Sequence, residues 1–291
     1  MGLNFDLHAN TVLLTVGGSR AYGINVPTSD VDLRGVVIPP SSHYFGVLDK
    51  FESIEGIEHF EQFLHLLTPE ESSAAGNTKL EGSLFEMRKF IRMAMQANPN
   101  IFDCLFARDV DVRLATPVGQ TLRRARHLFV TAQARGSYLG YIASQQSRLE
   151  RHQRWLADPP TEPGLNGTSQ QRSDWNDYGC WRKNQGSARA ALDAAHGYDT
   201  KAAGHMVRLA RMAWELLAHG EVNVWREDAE ELRDIRLGSW SYDRVMQEVK
   251  EHVDAIDVIW QAKTFKVPAA PDRKAISDLC CLLIEEHLAT A

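Results

Sequence analysis

Two aspartates, Asp30 and Asp32, stand at i and i+2 where the chain enters an apolar run, Val31 to Ile38. The strand period of two puts both carboxylates on one face. Two like charges held side by side repel, so the pair is costly unless a cation neutralises it. Oxygen-only ligands select a hard divalent ion such as Mg²⁺. Upstream, a β-branched run from Thr11 to Val16 stops at Gly17-Gly18-Ser19-Arg20-Ala21-Tyr22-Gly23. Backbone N–H groups of such a turn, the Ser19 hydroxyl and a following helix N-terminus suit a phosphate. These are parts for phosphoryl transfer. No Gly-Lys-Ser or Gly-Lys-Thr follows, which excludes a Walker A loop. Each part alone is weak, because D-x-D also occurs in caps and Gly-Gly often marks only a turn.

The elements that must position these groups change character along the chain. Strands are expected at 11–16, at 31–38 closed by Pro39-Pro40, at 81–85, and over the alternating DVDVR of 109–113. Residues 41–80 read as an irregular insertion, with SSAAGN (72–77) as loop. Phe90, Ile91, Ala94 and Met95 share one face of a helix that ends before Asn98-Pro99-Asn100. Thr116-Pro117 supplies an N-cap and a first helical position, and the rest reads as helices apart from a loop over 158–174. The expected architecture is α+β: a mixed sheet with flanking helices over residues 1–115, followed by an all-helical domain over 116–291.

Composition is that of an ordinary globular chain of 291 residues, 44% hydrophobic and 24% charged. No apolar window approaches the roughly 18 residues of a membrane span, and MGLNFDLHAN has neither a basic nor an apolar leader region, so the cytoplasm is the expected location. Cys104, Cys180, Cys280 and Cys281 form no C-x-x-C and are expected reduced and mostly buried. The net charge of −6 divides unevenly: residues 1–120 hold 9 basic and 15 acidic side chains, 121–211 hold 14 and 7, and 212–291 hold 9 and 16. The basic middle suits a polyphosphate or a nucleic-acid backbone, or a solvated face paired with the acidic last third. Tyr138, Tyr141 and Trp155 among its arginines fit ordinary helix packing better than base stacking.

A helix is expected over 200–219, with Gly220 closing it. Lys201, His205 and Arg208 fall at i, i+4 and i+7 on one face, and Met206, Leu209, Ala213 and Leu216 form a separate apolar stripe. By spacing alone the first set is a solvated basic face. Arg34, one strand step past Asp32, either orients the carboxylates, touches substrate or forms a structural ion pair. Tyr22 stacks or packs.

A strand, G-G-S, about ten residues, then D-x-D running into an apolar strand resembles the signature of the DNA polymerase beta superfamily of nucleotidyltransferases. TVGGSRAYGINVPTSDVDLRGVVIPP, LFEMRKFIRMAMQANPNIFDCLF and GYDTKAAGHMVRLARM resemble three blocks of a bacterial and phage group within it, associated with RNA ligases and RNA repair. The resemblance implies three carboxylates holding two Mg²⁺ ions, with Mn²⁺ as an alternative, one activating an acceptor hydroxyl and the other holding a nucleoside triphosphate. Asp30 and Asp32 fill two places. Glu81, where relatives usually carry Asp, is the third candidate, and Glu86 competes with it although its place at a helix start suits a cap. Gly17, Gly18, Ser19 and Arg34 would then hold nucleotide phosphate, and Lys201, His205 and Arg208 would reach the triphosphate. The implied activity moves a nucleoside monophosphate from an NTP or dNTP to an acceptor, first an RNA 3′ end. Alternatives are synthesis of a nucleotide signal in phage defence, protein nucleotidylylation, or a catalytically silent nucleotide-binding scaffold.

Overall fold

A computed structural model describes residues 3–47 and 49–290. The sheet has five strands, β1 (Thr11–Val16), β2 (Val31–Val37), β3 (Ser53–Glu55), β4 (Leu80–Glu86) and β5 (Val112–Ala115), in the order β3-β4-β2-β1-β5. It is mixed: β2 and β4 run parallel, and the other neighbours are antiparallel. All six β1 residues are buried, as a central strand covered on both faces requires.

Two cores cover the sheet. Val12, Leu13 and Val36 join a large core shared with most of the helices, while Leu14, Val16, Leu33 and Leu84 pack with Phe51, Phe60, Phe63 and Leu67. The stretch over 41–80 is therefore a structured cover for one face of the sheet. It contains α1's successor in the chain: after α1 (Gly18–Ala21) come α2 (Ser42–Phe45) and α3 (Pro69–Asn77). SSAAGN is helical, not loop, because Thr68 and Glu71 close a capping box, with Thr68 N–H donating to Glu71 Oε2 at 2.9 Å and Glu71 N–H to Thr68 Oγ1 at 3.3 Å. Glu71 then pairs with Arg113 on β5, Nε to Oε2 at 2.8 Å, fastening the cover to the sheet.

α4 (Met87–Met95) and α5 (Pro99–Leu105) follow β4. Glu86 caps α4, accepting from the backbone N–H of Arg88 and Lys89 at 3.0 and 3.1 Å. DVDVR is only half strand: Arg108 clamps Asp111 at 2.7 Å, which tightens 109–111 into a 3₁₀ turn, and β5 begins at Val112. Thr116 caps α6 (Pro117–Arg124), its hydroxyl accepting from Gly119 N–H at 3.3 Å.

The helical part continues with α7 (Ala134–Ala157), α8 (Ser169–Asn184), α9 (Ser187–His196), α10 (Thr200–His219), α11 (Ala229–Arg236), α12 (Tyr242–Ala262) and α13 (Arg273–Thr290). The irregular stretch after α7 is shorter than expected, because Thr168 starts α8 with a second capping box. α10 is the spine, buried among α7, α11 and α12 along Met206, Leu209, Ala213 and Leu216. Tyr138 is buried, and Tyr141 is a structural contact whose hydroxyl accepts from Asn98 Nδ2 at 2.9 Å. All four cysteines are free, but Cys180 and Cys281 are exposed, so burial of the thiols holds only for Cys104 and partly for Cys280. No described helix is long and apolar enough to cross a membrane.

Candidate active site

The glycine turn and the aspartates meet at one end of β1 and β2. Gly17 N–H donates to the Asp32 carbonyl at 2.8 Å, closing the turn on the start of β2. Gly18 has φ +59°, and a Cβ there would lie 1.9 Å from Asp32 Oδ2, so only glycine permits this approach. Ser19 stands in the first turn of α1, half-buried. The helix that follows is a single turn, so the phosphate-holding contribution expected of its dipole is small.

Asp32 lies directly opposite Glu81 in the parallel register of β2 and β4. Partial burial pushes the Asp32 carboxyl up, and Glu81 and Asp30 push it further, against the pull of Arg34 and Lys201. Glu81 is taken by Lys79, one residue before β4, whose ammonium is raised by that pairing. Arg34 points to the helical side, with Nη1 donating to the Asn100 carbonyl at 2.9 Å and Nε unpartnered among the described residues.

α10 brings the second set across. Lys201 is exposed yet walled by protein. Its ammonium is lowered by desolvation and by the guanidiniums of Arg236 and Arg189, while Asp30 and Asp32 draw it up. His205 is pushed down to about 3 by desolvation and by Arg208, Arg148 and Lys201, so the ring is neutral at pH 7 and accepts from Arg208 Nη2 at 3.0 Å. Arg208 behaves differently from its neighbours on the same face. It is fully buried, lies 3.7 Å over the Tyr22 ring and 3.8 Å from Asp103, and Tyr22 donates its hydroxyl to Asp103. Tyr22 packs, and burial raises its phenol.

Arg236 and Arg189 were invisible to spacing. Arg236 lies in the acidic last third, inside ELRDIR, and reaches the site only through tertiary packing. Its Nη1 and Nη2 contact the Ile24 carbonyl and Ser29 Oγ, both at 3.4 Å, and Thr200 Oγ1 donates to its carbonyl at 2.8 Å. Desolvation and Arg189 lower Arg236 while Asp30 and Asp32 raise it. Residues 226–236 also clamp the loop leading to Asp30: Arg226 N–H donates to the Tyr22 carbonyl at 3.2 Å and Arg233 to the Gly23 carbonyl at 2.8 Å. A cavity of about 880 Å³ between α6 and the end of α10 contains none of these residues.

The donor set at the strand ends fits a hard divalent cation: Asp30 and Asp32 are carboxylates that repel each other, a repulsion offset by the cations of Arg34, Lys201, Arg236 and Lys79 around them, and Gly18 leaves the space beside Asp32 without a side chain. Three such ligands do not yet converge among the described residues, because Glu81 is bound to Lys79.

The family model of the RNA repair pathway DNA polymerase beta family, RlaP, matches residues 4–236, and the chain belongs to that family. The matched span ends with the arginine whose guanidinium closes the loop before Asp30. The chain is similar to an uncharacterized 38.9 kDa protein of the nrdC–mobD intergenic region of Enterobacteria phage T4, with 26% identity over 140 residues, 47% of this chain and 38% of the relative. The aligned part thus spans about two fifths of that relative's length. No solved structure matches. The family is one of polymerase beta-like nucleotidyltransferases attached to an RNA repair pathway.

Proposed function

We propose that this protein is a Mg²⁺-dependent nucleotidyltransferase that moves a nucleoside monophosphate from an NTP or dNTP to the 3′ hydroxyl of an RNA, with release of pyrophosphate. One observation carries the reading. Asp30 and Asp32 repel each other, and Lys201 and Arg236, each lowered by desolvation and by neighbouring guanidiniums, crowd beside them. A metal-bound polyphosphate set between them relieves both repulsions at once.

Asp30 and Asp32 would hold the metal, and Glu81, once free of Lys79, would be the third carboxylate. The ion supplies charge neutralisation at the reacting phosphate and lowers the pKa of the acceptor hydroxyl. Gly17, Gly18 and Ser19 hold phosphate oxygens. Lys201, Arg236 and Arg189 balance the charge that grows on the departing pyrophosphate. His205, neutral, offers a hydrogen bond rather than a charge. Arg34 orients the carboxylates, and Arg208 is a positioning residue that braces the glycine turn through Tyr22. In this division residues 1–115 supply the metal ligands, and 116–291 supply the cations and the acceptor surface.

The test is incubation of purified protein with Mg²⁺ or Mn²⁺, each labelled NTP and dNTP, and RNA, following pyrophosphate release and the label. Release that vanishes in the Asp30→Ala, Asp32→Ala double variant, with label on RNA, is the expected result. Label on a small product or on protein would replace RNA as the acceptor. Nucleotide binding without release under every condition would leave a silent scaffold, the state in which Lys79 never yields Glu81.

A further inference from the structure

Beside the cleft lies a second cavity, of about 290 Å³, between α7, α8 and the start of α9. Arg148, Arg151, Trp155, Trp181, Asn184 and Arg189 line it. Two of these connect it to the proposed site: Arg189 presses on Lys201 and Arg236, and Arg148 presses on His205. The cavity is thus the next space along from the triphosphate cations.

Its chemistry is lopsided toward donors. Arg151 has a buried Nε–H without a partner among the described residues, and Trp181, only 9% exposed, has an unpartnered indole N–H, whereas Arg189 is held by Asp199 through Nη2 at 2.6 Å with Asp193 3.7 Å from its Nε. The one carboxylate in the lining, Asp177, is half-exposed and stands 3.6 Å from Arg151, a loose pair of little strength. His152 is already engaged by Asp199 at 2.9 Å, and Gln185 donates to Asp193 at 2.6 Å. The floor is apolar and rigid: Trp181 sits 4.9 Å from His152 and 5.5 Å from Trp155, ring centre to ring centre. A core made only for packing has no reason to gather the two loosely partnered guanidiniums of Arg148 and Arg151 and an orphan indole N–H around a void.

We propose that this cavity binds one nucleotide of a single-stranded RNA acceptor, its phosphate on Arg148 and Arg151 and its base over the Trp155–Trp181 floor, next to the reacting end. The inference rests on the nucleotidyltransferase reading for its geometry, since the acceptor must approach from beside the triphosphate. The volume suits a single nucleotide, and arginine forks match phosphate. A base resting on an aromatic floor requires no particular sequence, which suits an acceptor recognised by being single-stranded.

The test is fluorescence anisotropy with a short labelled single-stranded oligoribonucleotide, without divalent metal or nucleotide, so that binding is read whether or not the protein transfers anything. ATP affinity is measured separately. Arg151→Ala should weaken RNA binding about tenfold and make the salt slope shallower by about one unit. Trp181→Phe, which keeps one aromatic ring of the floor but removes the N–H together with the pyrrole ring, should weaken it about threefold. ATP affinity should be unchanged in both. The control is Arg154→Ala, an exposed arginine of the same helix outside the cavity. Unchanged RNA binding in Arg151→Ala and Trp181→Phe overturns the proposal. So does an equal loss in Arg154→Ala, which would mean charge alone, or a loss of ATP affinity, which would give the cavity to the base of the incoming nucleotide.

Discussion

The two halves of α10 carry cations in opposite circumstances. In its second half, Arg211 is held by Asp228, Glu231 and Glu248 at 2.8, 2.6 and 2.7 Å, and Arg226 grips Glu215 at 2.6 Å and Asp228 at 2.8 Å. Those carboxylates hold both guanidiniums above their ordinary range, and in return they hold Asp228 low. At the first half, Lys201 is lowered by desolvation and by Arg236 and Arg189, and its neighbour Arg236 by desolvation and Arg189. A closed ionic lattice stabilises the fold by itself. An open cluster is at its most stable only when an anion arrives, so the sign of a stability change separates structural from binding cations.

The largest effect expected is on transfer. Removing both metal ligands, Asp30→Ala with Asp32→Ala, should lower kcat by at least about 10³-fold, as losing a charge-stabilising centre does. The same variant should melt no lower than the wild-type protein in the absence of metal, because a repelling pair has been deleted; calorimetry reads this directly. Gly18→Ala should also abolish Mg²⁺ binding by titration calorimetry, since the new Cβ displaces the Asp32 carboxylate. In the closed lattice the loss is structural. Arg226→Ala strands Glu215 in a partly buried site and should cost about 3–5 kcal/mol of stability by urea denaturation.

The proximity of the glycine turn and the aspartates was legible in the sequence, because it is local: a turn, a strand start and a two-residue period place Gly17, Gly18, Asp30 and Asp32 within one hairpin-like unit. α10 was legible as well, from its period and from Gly220 at φ +78°. What spacing could not separate was Lys201 from Arg208. Both lie on the expected face, but the supporting wall formed by Tyr22 and Asp103 comes from the sheet side and swallows only the second. Arg236 was hidden for the converse reason: its local surroundings are acidic, and only the close packing of α11 on α10 at Gly204, where Arg236 Cβ would lie 3.6 Å from an added methyl, brings it to the cleft. The cover over 41–80 was misjudged because small residues in SSAAGN hide a helix whose start signal, Thr68-Pro69-Glu70-Glu71, lies upstream.

A smaller change is expected from Lys201→Ala. Its loss should reduce kcat/KM by about 10²-fold, mostly through triphosphate binding, with stability equal to or slightly above that of the wild type. That outcome contrasts with Arg226→Ala in sign, and a Lys201→Ala protein that melted several degrees lower would place Lys201 with the structural lattice.

The smallest effect is one of pH. His205 is held down to about 3 in the folded protein, whereas in the unfolded chain it titrates near the ordinary imidazole value of about 6.5. Between those values the unfolded chain takes up a proton that the folded one refuses, so the contribution of His205 is intact above about pH 6.5 and is lost as pH falls toward its folded value, by at most about 1.4 kcal/mol per unit. His205→Gln keeps an acceptor for Arg208 and removes the titration. Urea midpoints measured between about pH 7 and pH 5 should therefore fall less steeply in the variant than in the wild type, and the two curves should converge at the upper end. Parallel curves would mean that the imidazole is protonated in the folded state, which Arg208 at 3.0 Å and the nearby Arg148 and Lys201 oppose. The same cations that keep His205 neutral are those assigned to the triphosphate. Saturating ATP should accordingly shrink the wild-type slope, and in the closed lattice, where the cations already have partners, nucleotide should change nothing.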